Sequence, residues 1–280
     1  MTQTQNAGSS GAAGSTWDSA LSSAEFSAVT GAGFDPVGQV LGTSVYNMAF
    51  TGLGGCPGAW SATEDGGPPS SRWTPSYASE VRTMYEVRKR ALARVVEECR
   101  ALGGDGIVGV TLRSDFPEGG LQFTVLGTAV RARSRIRPRT PFTSHLSGQD
   151  FARLIHSGWV PTGLAFGIGL AKRHDDWRTS RTKTWTVGNQ EIDGHTQLIG
   201  HVRREAGRQL ARNAAGQGGD GVVVDGMSLS VHTHECSQFG YGGDLSAEAV
   251  LVGTAIARFD HSARPAGPRP LTIMRLEREH

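Results

Sequence analysis

The chain has 280 residues, a formal net charge of +2, 38% hydrophobic residues and 39 glycines. That length allows one or two domains with modest cores and many tight turns. The near-neutral balance gives no global field for nucleic acid or a membrane surface. Three cysteines, an odd number, argue against a disulfide framework. No apolar run approaches the roughly 20 residues that span a bilayer. Residues 1–16 lack the basic-then-apolar pattern of a secretion signal. A cytoplasmic protein is expected.

In chain order, residues 1–20 are a polar, small-residue segment expected to be disordered. A short helix follows from Leu21, where Ser22 and Glu25 stand at capping-box spacing, and Gly33 suits a left-handed cap. A first strand is predicted near Gln39 to Tyr46. Residues 49–75 form an irregular insertion that carries Trp60 and Trp73. A long amphipathic helix is predicted from Tyr77 to Leu102. Its stripe contains Val81, Met84, Tyr85, Leu92, Val95, Val96, Cys99 and Leu102, which makes Cys99 a core thiol. The turn Gly103-Gly104-Asp105-Gly106 must stop that helix, with Gly103 at positive φ and Asp105 bonding to backbone amides. Two strands, near 106–114 and 121–133, then pair as a hairpin. The first of them is reached through a helix, so it should run parallel to the strand before that helix.

The same landmarks return. Gly218-Gly219-Asp220-Gly221 repeats the turn 115 residues later, and Val252-Gly253-Thr254-Ala255 repeats Leu126-Gly127-Thr128-Ala129. Phe26, Gly33, Phe34, Pro36 and Gly38 are matched by Phe151, Gly158, Trp159, Pro161 and Gly163. Landmarks repeated in order predict a duplicated unit. The first copy is placed at residues 21–135 and the second at 146–260, with a linker at 136–145 and a tail at 261–280. The second copy has its own irregular insertion with Trp177 and Trp185, a helix near 192–217 with a thinner stripe, and strands near 221–236 and 246–259. Between the copies Arg131, Arg133, Arg135, Arg137 and Arg139 alternate, which reads as a charged, solvated strand edge running into the linker. The fold class is therefore α+β: two tandem copies of a small domain, each a short helix, strand, long helix and strand hairpin.

The stretch ALGGDGIVGVTLRSDF, followed by FTVLGTAV and preceded by a long charged helix, resembles the YbjQ-type family of small bacterial domains described as "putative heavy-metal-binding". The resemblance covers about residues 37–133 and, more weakly, 162–259. It implies a compact α+β domain that assembles into rings, with pentamers as the family expectation, and it implies no reaction. Members carry a cysteine early in the domain, and Val40 to Tyr46 contains none.

One cluster has metal chemistry. His232, His234 and Cys236 stand at i, i+2 and i+4 of a predicted strand, so two imidazoles and a thiol would share a face. A zinc-like divalent ion suits that donor set, with His174, His195 or His201 as a fourth ligand. No catalytic triad, paired-carboxylate motif or phosphate-binding loop is recognisable. The expected function is a non-enzymatic, oligomeric structural or interaction protein, with a metal-binding module as the alternative. A homopentamer of stacked rings is the expected assembly, and the four loop tryptophans (Trp60, Trp73, Trp177 and Trp185) are candidate partner contacts.

Overall fold

The computed structural model describes residues 19–47, 78–115, 120–135, 137–175, 179, 182, 191–235 and 243–259. The four loop tryptophans, Cys236 and the tail after 259 lie outside them. Helix α1 (Ser23–Gly31) opens on the anticipated capping box: Ser22 Oγ accepts from Glu25 N, and Glu25 Oε2 accepts from Ser22 N at 2.9 Å. These bonds hold the Glu25 carboxyl below its ordinary pKa. Strand β1 (Phe34–Asn47) begins earlier than the sequence suggested, because the Pro36–Gly38 step is a bulge inside the ladder. Helix α2 (Ala78–Ala101), β2 (Gly106–Asp115), β3 (Gly120–Ala132) and a two-residue β4 (Phe142–Thr143) follow. Then come α3 (Gly148–His156), β5 (Trp159–His174), α4 (Asp193–Gly216), β6 (Gly221–Glu235) and β7 (Gly243–Arg258).

The strands form a four-stranded sheet of order β1-β3-β2-β4 and a three-stranded sheet of order β5-β7-β6. In each, the last strand of the hairpin lies in the middle, antiparallel to both neighbours. The strands flanking each long helix are thus parallel, as anticipated, but not adjacent. The hairpin partner fills the gap that the helical crossover leaves. Gly103 and Gly218 take φ of 70° and 74°, so each long helix ends as the sequence requires. Asp105 Oδ2 accepts from Ala132 N at 2.9 Å and Asp220 Oδ2 from Arg258 N at 3.0 Å. Each aspartate therefore ties its turn to the end of the central strand and not to its immediate neighbours.

The arginine run is a correction. β3 is a central strand and ends at Ala132, so the five residues do not form an edge. Arg131 Nε donates to Gly103 O at 2.8 Å, Arg133 pairs with Asp35 at 2.6 Å, and Arg137 reaches buried Asp105 at 3.1 Å. Three of the five arginines hold the turn and the β1 entrance. Within residues 136–145, read from sequence as a linker, lies β4.

The layers run sheet, α2, sheet, α4. Met84, Val87, Ala91, Val95 and Cys99 of α2 pack on Val40, Phe123 and Val125 of the first sheet, and the same cluster includes Leu164, Phe166, Ile168 and Val250 of the second. Helix α2 is covered on two sides, which is why its apolar stripe is wide. Cys99 is fully buried, and burial pushes its thiol up to about 11, so it is an inert core group. Helix α4 buries one line only, Leu198, Val202, Ala206, Leu210 and Ala214, against the far face of the second sheet. No helix among the described residues is long and apolar enough to cross a membrane.

Candidate functional site

The described structure is most specific where the two halves meet. Residues 142–146 lie along the free edge of β2. Phe142 N donates to Asp105 O at 3.2 Å and Ser144 N to Ile107 O at 2.9 Å, while Val110 N donates to Ser144 O and Gly109 N to Leu146 O, both at 3.0 Å. A Cβ on Gly106 would run into the Phe142 ring, so glycine there lets the ring lie on the strand. Phe142 stacks on Phe151 at 5.6 Å, and Phe34 meets Phe151 edge-on at 5.0 Å. These rings join Val29, Val108, Val130 and Leu146 in one buried cluster between α1 and α3.

A second contact crosses from α2 to β5. The Tyr85 hydroxyl donates to Phe166 O at 3.3 Å and accepts from Ile168 N at 3.1 Å, filling the hydrogen-bonding edge of β5. Burial raises its pKa above the ordinary phenol value. Tyr85→Phe leaves that amide and carbonyl unpartnered, and should cost about 1–3 kcal/mol in urea unfolding. Beside it Arg88 is buried, with its guanidinium over Phe123 at 5.1 Å and its Nη1 donating to Met84 O. Desolvation lowers the Arg88 pKa and raises that of Glu248, while their charges oppose both shifts.

Near this interface β2, β6 and β7 border an open cleft of about 530 Å³, floored by Val110, Leu112, Val250 and Val252 and rimmed by His145 and Asp225. His145 Nδ1 lies 2.8 Å from Thr254 Oγ1, which also accepts from His145 N at 3.1 Å. Burial lowers the His145 pKa below 6.5, against the opposing charges of Asp225 and Asp150. The folded state therefore favours neutral imidazole. Its contribution to stability is present above pH 6.5 and is lost as pH falls through the folded pKa. His145→Ala should flatten the acid limb of a stability–pH profile measured by urea unfolding between pH 7 and pH 5. Sequence reading passed over His145, whose sole signal was its place just before Leu146 in the repeated helix entrance.

The sequence-predicted metal residues are placed as follows. His232 is exposed in β6 opposite Ser246. His234 is in the same strand, with only its backbone described, and Cys236 lies outside the described residues. Val231 opposes Ala247, which packs against α4, so alternation puts His232 on the sheet face away from α4. His195 and His201 stand on α4, and His195 Nε2 is 3.1 Å from Asp175 Oδ1. The sheet thus separates both from His232. His174 is different: β5 and β6 bring it and His234 into register with the same residue, Asp244 of β7. Among the described residues, no group of three or more His, Cys, Asp or Glu side chains is placed to hold a metal.

Residues 75–133 match the model of the family described as "Putative heavy-metal-binding", the same YbjQ-type family that the motifs resemble. The chain is also 33% identical over 229 residues to "Encapsulin nanocompartment protein Rv1762c" of Mycobacterium tuberculosis (strain ATCC 25618 / H37Rv). That alignment covers 77% of this chain and 80% of the relative. The chain belongs to the family of that protein.

Proposed function

We propose that this chain is a non-enzymatic structural protein, built from two copies of one α+β unit, that assembles with further copies of itself and works with an encapsulin-type nanocompartment. The observation that carries this reading is the contact between the halves. The first offers a strand edge and a helix, and the second answers with residues 142–146 and a sheet face. The two surfaces differ, which is the head-to-tail contact that builds rings and filaments. The relative's name is that of a compartment protein and not of a reaction, which supports the non-enzymatic reading.

Such a contact makes the two halves successive units. It favours one ring of alternating halves, for example three chains, over the homopentamer of stacked like halves expected from sequence. Light scattering separates them: three or five times the 29.7 kDa chain mass. A monomer at tens of micromolar would refute both arrangements. For the compartment role, a cell lysate is fractionated on a density gradient. The chain should sediment with the nanocompartment shells, and its confinement to the slow fractions would refute that association.

A second reading, a zinc-like metal site, has one observation in its favour: the shared register of His174, Asp244 and His234 beside His232. Protein purified without a His tag should then hold metal that His232→Ala with Cys236→Ala removes. Unchanged metal content and unchanged thermal response to added zinc would end this reading.

A further inference from the structure

The contact between the halves has a second, unused copy of each of its surfaces. Ser19 Oγ lies 3.4 Å from Thr128 Oγ1, Ala20 N donates to Thr128 Oγ1 at 3.2 Å, and Leu21 N donates to Ser19 Oγ at 3.1 Å. In the second half the same three bonds recur: Ser144 Oγ lies 3.4 Å from Thr254 Oγ1, His145 N donates to Thr254 Oγ1 at 3.1 Å, and Leu146 N donates to Ser144 Oγ at 3.2 Å. Residues 19–21 and 144–146 are therefore equivalent. The residues immediately before 144 are Phe142 and Thr143, which lie on β2 as β4. The residues immediately before 19 are Trp17 and Asp18, again an aromatic followed by a small polar residue.

The strand equivalent to β2 is β6, and its edge is bare. Among the described residues β6 pairs with β7 alone. Where Phe142 covers Gly106, a Cβ on Gly221 would meet nothing closer than Ile256 at 3.7 Å. Val110, whose amide donates to Ser144 O, is 4% exposed, whereas its counterpart on β6, Asp225, is exposed, as are Val224 at 51% and Met227 at 46%. A long apolar edge left open is a template for another strand. The second surface tells the same story. Phe166 of the second sheet is 4% exposed against α2, but its first-sheet counterpart Leu41 is 53% exposed, with Val45 at 61%. Among the described residues, six of the nine exposed large apolar side chains thus lie on β1 and β6, the strands that carry the unused copies; Phe26, Leu102 and Phe259 lie elsewhere.

We infer that residues 17–21 of one copy add to the edge of β6 of a second copy as 142–146 add to β2, with Trp17 over Gly221, linking chains head to tail. In this pairing Asp220 O and Val222 O accept from the incoming strand, and Val224 N and Asp225 N donate to it, the positions taken on β2 by Asp105, Ile107, Gly109 and Val110. The exposed outer face of the first sheet around Leu41 then turns toward the second copy's α4. There Gly200 and Gly207 stand where α2 carries Tyr85 and Leu92. The inference rests on the assembly reading above and names its surfaces.

The test uses two full-length variants, each breaking one side of the contact. Trp17→Asp spoils the incoming strand, and Val224→Lys with Met227→Lys spoils the receiving edge at positions already exposed. The parent should scatter as a whole multiple of 29.7 kDa, and each variant alone should fall to a single chain with unchanged circular dichroism. Mixed in equal amounts, the two variants should recover a discrete dimer. One chain then brings an intact arm, its partner an intact edge. Variants that keep the parent mass would overturn the inference while leaving self-assembly standing. Monomeric variants that do not combine on mixing would overturn the head-to-tail pairing. A monomeric parent would overturn the assembly reading itself, and the inference with it.

Discussion

Phe151→Ala is expected to lower stability by about 3–5 kcal/mol, the range for removing a fully buried ring. Phe151 is 0% exposed and stands between Phe34 and Phe142, edge-on to the first and stacked on the second. Truncating it opens a cavity where α1, α3 and β4 converge, and it removes the surface that holds Phe142 on Gly106. The expected consequence extends past stability. Residues 142–146 should loosen from β2, so the Gly109 and Val110 amides, which donate to Leu146 and Ser144, should lose hydrogen-exchange protection ahead of global unfolding. A variant that loses less than about 1 kcal/mol in urea unfolding would show that the ring cluster does not hold the halves together.

Much of this arrangement was legible in the sequence, for identifiable reasons. The Gly-Gly-Asp-Gly turns were readable because a helix that must stop needs positive φ, and Gly103 and Gly218 supply it. The wide stripe of α2 foretold more burial than the thin stripe of α4, and the cause is the second sheet lying on α2. Within that stripe the inner line is Met84, Val87, Ala91, Val95 and Cys99. Val87 and Ala91 escaped notice because an apolar band covering two faces hides which line points inward. In α4 the single inward line reaches back one turn from Val202 to Leu198, which is fully buried.

What the sequence could not show is which strand lies in the middle of each sheet. Chain order makes β1 and β2 look adjacent, and only the ladder places β3 between them. β4 was hidden for a related reason. Two residues in a Pro- and Arg-rich stretch carry no strand periodicity, and β4 exists because β2 offers an unpaired edge. The metal-type cluster fared differently. Spacing alone put His232 and His234 on one face, but whether a fourth donor arrives depends on register across three strands. The sheet stands between His232 and the α4 residues His195 and His201, while the strand register aligns His174 with His234 across Asp244.

Gly167→Leu should be among the most damaging single changes in the second half, because β5 and α4 meet there backbone to backbone. A Cβ at Gly167 would press into the Ala206 carbonyl oxygen and the Leu210 amide, and at Gly169 into the Val202 carbonyl oxygen. These are atoms of the helix backbone, which cannot swing aside as a long side chain does. Helix α4 would have to lift from the sheet, uncovering the line from Leu198 to Ala214. Overpacking of this kind costs typically about 1–3 kcal/mol. The displaced helix adds lost burial to that, so a loss of about 3 kcal/mol or more is expected in urea unfolding. Gly42 makes the same close approach to Ala91 in the first half, so Gly42→Leu should behave alike. Gly207 supplies the contrast. It lies on α4 with nothing within 4 Å of its would-be Cβ, so Gly207→Ala should stabilise the helix by up to about 1 kcal/mol. Opposite signs at two glycines 40 residues apart would establish that the sheet–helix approach, and not glycine content, limits the second half. A Gly167→Leu variant with the parent's urea midpoint would refute the close packing of α4 on β5.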